Sequence, residues 1–151
     1  MAKVLQINVN RSSPAQDLAI QAMREREVAL MAISEPWRIP DSPLWAADLD
    51  GVAAVTWLPR CGSRQIREII ERGHGFVAVR WGNVAVFSCY FSPNTLVVDF
   101  EASLGTLGDS IRRAGSDLVI SMLDQLLEAP PVLTVGVNWW SNGLFCLDFK
   151  S

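Results

Sequence analysis

A layered α/β domain is what this sequence predicts, and three features of the chain carry the prediction. The first 33 residues read strand, helix, strand, the unit from which such domains are built. A dipeptide, Gly82-Asn83, joins two runs rich in β-formers. An amphipathic helix with a glycine stop follows them. Composition agrees: half of the 151 residues are apolar and 19% are charged, enough to bury a core and too little charge for a disordered chain.

Residues 4–9, V-L-Q-I-N-V, alternate apolar and polar, as a strand with two different faces does. Ser13-Pro14-Ala15-Gln16 then reads as a helix start, with Ser13 as cap, Pro14 in the first helical position and Gln16 returning a bond to the cap. Leu18, Ala19, Ala22 and Met23 give that helix its apolar stripe. Residues 28–33 are continuously apolar, the mark of a strand covered on both faces, and they end at Ser34-Glu35-Pro36-Trp37.

Prolines and glycines punctuate the middle, where a short strand fits residues 51–57. Residues 65–71 suit a helix or an edge strand equally. Phe76–Trp81 and Val84–Tyr90 form the predicted hairpin. A helix begins near Thr95, with Phe100, Leu104, Leu107 and Ile111 on one face and Gly115 after Arg112-Arg113 as its stop. In the tail, residues 118–127 read as a helix and 131–137 as a strand. The apolar end, Leu144–Phe149, gives the chain the look of one cut short.

A net charge of −3, from 13 basic and 16 acidic residues, argues against a polybasic binder acting by bulk charge. Nucleic-acid binding by a local basic face stays open. Cys61, Cys89 and Cys146 are far apart, which disfavours zinc and predicts a reducing compartment. With no signal peptide and no membrane-length apolar stretch, the chain is expected to be soluble and intracellular.

Sites in layered α/β domains gather where strands end. Asn8, Glu35 and Tyr90 each stand at such an end. A carboxylate after a buried strand suits Mg²⁺, and an amide and a phenol suit a phosphate. The plainer readings are a solvated turn for Glu35, a bond to a neighbouring strand for Asn8 and a place at the edge of the core for Tyr90. His74 lies in a G-H-G loop without the third glycine of a phosphate loop, and no G-x-S-x-G elbow accompanies it. Arg112 and Arg113 read as ordinary charges near a helix C-terminus.

Three blocks, L-Q-I-N-V-N-R with A-Q-D-L, A-I-S-E-P-W, and R-G-H-G-F-V-A-V-R-W-G-N-V-A-V-F-S-C-Y-F-S-P-N, stand in an order that resembles the endonuclease domain of non-LTR retrotransposons. Those domains belong to the apurinic/apyrimidinic endonuclease-like group of the endonuclease/exonuclease/phosphatase superfamily. The resemblance spans residues 4–113 and implies a four-layer α/β sandwich, here partial and truncated. It implies Mg²⁺, or Mn²⁺ in its place, held by Glu35, with Asn8 and Tyr90 at the phosphate. It further implies nicking of target DNA to prime an attached reverse transcriptase domain, in the nucleus.

The sequence departs from that family after residue 115. Residues 1–115 read as the N-terminal part of the domain and 116–151 as a divergent tail, a degraded continuation of it. The family's G-D-F-N strand would correspond to residues 131–136, which run into Val137-Asn138 without an aspartate, and its closing S-D-H is missing. The chain is therefore expected to be inactive alone, or to be a non-catalytic fragment whose uncovered sheet face drives self-association or binds a partner. An unrelated small α/β binding module is the remaining alternative.

Overall fold

The computed structural model describes residues 2–59, 65–92, 94–115, 118–124, 137–140 and 144–149, with residue 2 and the last three stretches as backbone. Strand β1, Ala2–Asn8, leads into helix α1, Ser13–Glu25, and strand β2, Leu30–Ser34. Three strands follow: β3, Trp45–Ala47; β4, Ala53–Trp57; and β5, Ile66–Arg72. The hairpin is β6, Phe76–Trp81, and β7, Val84–Tyr90. Helix α2 is Val97–Ala114, and β8, Leu118–Asp124, β9, Val137–Trp140, and β10, Leu144–Phe149, complete the described chain.

The strands form two sheets. One runs β3-β4-β2-β1-β10-β9 and the other β5-β6-β7-β8. Strict alternation along the strands explains how they pack. Val4, Leu30, Ala32 and Val55 of the first sheet meet Val77, Val79, Trp81, Val84 and Val86 of the second. The opposite faces take the helices. Leu5, Met31 and Ile33 pack against Ala19 and Met23 of α1, and Phe76, Ala78, Phe87 and Cys89 pack against Leu107 and Ala114 of α2. The result is four layers, helix, sheet, sheet, helix, as the resemblance implies. Among the residues whose side chains are described, the inner faces of β1, β2 and β4 are covered by β6 and β7.

Several sequence expectations are refined. Ser12, not Ser13, caps α1, accepting from the Ala15 amide at 3.3 Å. Residues 65–71 resolve as the edge strand β5, and β3 was not anticipated. The predicted hairpin holds, with Gly82 supplying a positive φ of 60° in its turn. So does the α2 stop, where Gly115 is left-handed at φ 61°.

The tail differs most. Residues 118–124 are strand rather than helix, because β8 pairs in parallel with β7. Leu144–Phe149 is the inner strand β10, antiparallel to β1 from Ala2↔Phe149 to Gln6↔Phe145. Of the strand expected over 131–137, residues 131–136 lie outside the described residues, and Val137 opens β9.

Candidate active site

Glu35 and Tyr90 meet. They lie 55 positions apart and on different sheets, yet the Tyr90 hydroxyl donates to Glu35 Oε1 at 2.6 Å. Strand parity explains the encounter. Tyr90 shares the face of Val84 and Val86, which line the gap between the sheets, and so points across that gap from the end of β7. Asn8 has the parity of Val4 and is exposed at the end of β1, in register with Ser34. It is the residue beside Glu35 rather than in the Tyr90 hydrogen bond. Its Oδ1 accepts from the Asn10 amide at 2.7 Å and so closes the turn after β1.

The backbone around Glu35 is held in an uncommon conformation. Glu35 has φ 48°, and Asn10 and Arg11 in the facing turn have φ 50° and 56°. Left-handed backbone in non-glycine residues costs about 1–3 kcal/mol each and persists where surroundings over-determine it. Here the determinants are visible. The Glu35 amide donates to Val52 O at 2.9 Å, and the Arg11 amide donates to Glu35 O at 2.8 Å. Gln16, 3% exposed on α1, holds the residues after Glu35. Its Oε1 accepts from the Trp37 and Arg38 amides at 2.7 and 3.2 Å, while its Nε2 donates to Arg38 O at 2.6 Å. The sequence had assigned Gln16 to the helix cap; burial assigns it to the site loop.

A clasp joins the two sheets beside this pair. Asp48, 7% exposed, accepts from the Val52 and Ala53 amides through Oδ1 at 2.9 and 3.2 Å. Its Oδ2 accepts from the Gly75 amide of the other sheet at 2.9 Å. Outside it, His74 Nδ1 lies 3.0 Å from Asp50 Oδ1, and the Leu49 amide donates to Gly73 O at 2.9 Å. His74 thus pairs at the surface, in keeping with a structural or solvated role. Nothing in the sequence singled out Asp48 beyond the turn composition of D-L-D-G, because its partner Gly75 is 27 residues away.

The strand after α2 is β8, and it ends in an aspartate. Asp124 is the register partner of Tyr90 on the parallel strand, so both residues stand at the same end of the sheet. Residues 131–136, where the resemblance would put the family's G-D-F-N strand, lie outside the described residues. Among the described residues, no three His, Cys, Asp or Glu side chains cluster tightly enough to hold a metal alone. No described helix is long and apolar enough to cross a membrane. Arg112 and Arg113 pair with Asp109 and Glu71, the latter at 2.8 Å, as ordinary surface charges.

Neither a family model nor a curated protein matches the sequence. Among solved structures, the chain is similar to the endonuclease domain of TRAS1, a telomere-specific non-LTR retrotransposon. The TM-score is 0.63 at 22% identity, over 85% of this chain and 61% of that one. The present chain therefore spans about three-fifths of that domain and has its fold, which bears out the resemblance read from the ordered sequence blocks at the level of architecture.

Proposed function

We propose that this chain is an endonuclease-type domain of a non-LTR retrotransposon, acting on DNA phosphodiesters with Mg²⁺, or Mn²⁺, held at Glu35. The supporting observation is the 2.6 Å bond that makes one unit of Glu35 and Tyr90 from two sheets. The donor set suits Mg²⁺. That ion takes one or two carboxylates and completes its shell with water and substrate phosphate, which fits the single half-buried Glu35 carboxylate beside Tyr90. A bound Mg²⁺ would offset charge developing on the phosphate oxygens.

The chain's own residues have separate tasks in this reading. Glu35 presents a half-buried carboxylate on a fixed backbone. Tyr90 orients that carboxylate and, with Asn8, the phosphate. Water oxygen attacks phosphorus, the bond to the 3′ oxygen breaks, and that oxygen takes a proton to leave a 3′ hydroxyl for an attached reverse transcriptase domain. His74, the single histidine, pairs with Asp50 at the surface and is given no catalytic task in this reading; losing members of a catalytic unit leaves a slow residual rate. Target DNA and a nuclear setting complete the reading.

Plasmid nicking tests it. Slow conversion of supercoiled to open-circular DNA is expected with Mg²⁺, lost in EDTA and lowered about 10²-fold or more in Glu35→Ala. Nicking that survives in the variant, or none at all from folded protein, overturns the catalytic reading. In the second case a non-catalytic scaffold is favoured, and Leu96, Val97 and Val98, each more than 70% exposed at the start of α2, are where it would meet a partner.

A further inference from the structure

The geometry points to Asp48 as the positioning residue that sets the approach of Glu35 to Tyr90 across the two sheets. The inference rests on the reading of those two residues as one site. Its basis is a continuous chain of hydrogen bonds. From one oxygen, Asp48 reaches the Val52 amide, and the Val52 carbonyl accepts from the Glu35 amide at 2.9 Å. From the other oxygen it reaches the Gly75 amide, and the Gly75 carbonyl accepts from the Tyr90 amide at 2.8 Å. One buried carboxylate thus stands two peptide groups from each member of the pair.

The surroundings allow little slack in that chain. Gly75 has φ 83°, and a Cβ on it would stand 2.9 Å from the Tyr90 carbonyl oxygen, so backbone meets backbone there without a side chain between. Glu35 is held left-handed at φ 48°, and the Val52 link is one of the bonds that hold it. A carboxylate accepts at both oxygens, whereas an asparagine offers one acceptor and one donor. Asp48→Asn therefore turns an N–H donor against either Gly75 or the Val52 and Ala53 amides, and one sheet comes loose from the other at the site.

Tyr90 is the single tyrosine of the chain, so 3-fluorotyrosine reports on its hydroxyl alone. Glu35→Gln supplies the fluorine resonance of a phenol without its carboxylate partner. Folded Asp48→Asn is expected to move the resonance from the wild-type position at least halfway to that reference. Asp50→Asn, which removes the charge from the exposed bridge to His74, is expected to leave it in place. A folded Asp48→Asn with the wild-type resonance overturns the inference, as does an equal shift in Asp50→Asn. Should Asp48→Asn fail to fold, amide exchange in the wild-type protein decides. The Glu35, Val52, Gly75 and Tyr90 amides are expected to share one opening free energy, and exchange at Gly75 with Glu35 and Tyr90 still protected overturns it. None of these readouts depends on turnover. Absent nicking with a shifted resonance would remove the proposed function and leave the role of Asp48 standing.

Discussion

Helices α1 and α2 do the same architectural work with different consequences. Each covers the outer face of one sheet, and each buries a polar side chain among apolar ones, Gln16 in α1 and Ser110 in α2. Gln16 reaches the loop that follows Glu35 and holds it from both sides of a peptide. Ser110 instead donates to Glu71 on the edge strand β5, where Arg113 also binds. The first helix organises the site, whereas the second secures a sheet edge. The lesson is that layer position alone does not say what a helix contributes; the destination of its buried polar group does.

The N-termini sharpen the contrast. Ser12 caps α1, while α2 begins after Leu96, which makes no side-chain cap bond and leaves three large aliphatic residues exposed. A helix that starts without a cap leaves orphan amides to water.

Five predictions test the contrast between the helices, the largest effect first. Met23→Ala in α1 and Leu107→Ala in α2 both empty the core and should each lower unfolding free energy by about 2–5 kcal/mol in denaturant titrations. A much smaller loss on one side would mean that its helix is not seated as described. Gln16→Leu leaves the Trp37 and Arg38 amides unpaired, at about 1–3 kcal/mol, and should also reduce Mg²⁺-dependent nicking. Ser110→Ala should cost about 1 kcal/mol and leave nicking unchanged, and the opposite pattern would erase the division of labour between the helices. Leu96→Asp should stabilise by about 1 kcal/mol by supplying the missing cap, whereas Ser12→Ala should lose about as much. Smallest is Arg112→Ala, whose exposed pair with Asp109 is worth about 0.5 kcal/mol or less by thermal melting.

Much of the fold was legible where the signal is local. The hairpin announced itself by Gly82-Asn83 between β-rich runs, and α2 by its apolar repeat and Gly115. Glu35 and Tyr90 were legible as polar residues closing apolar strands. What stayed hidden depended on distant partners. L-V-I-S-M-L is a short apolar run that periodicity leaves ambiguous, and only pairing with β7 makes it β8. Leu144–Phe149 read as a loose apolar end until β1, at the other terminus of the chain, became its neighbour. Asp48 and the loop-holding role of Gln16 were missed for the same reason: each acquires its meaning from a residue far along the sequence.

The proposed function places a divalent cation at Glu35, in its bond with Tyr90. Mn²⁺ titration of the purified protein, followed by electron paramagnetic resonance, tests this most directly through the wild type and Glu35→Gln. One bound ion is expected in the wild type and at least about tenfold weaker binding in the variant. Undiminished binding in Glu35→Gln, or no bound ion in folded wild-type protein, would contradict it.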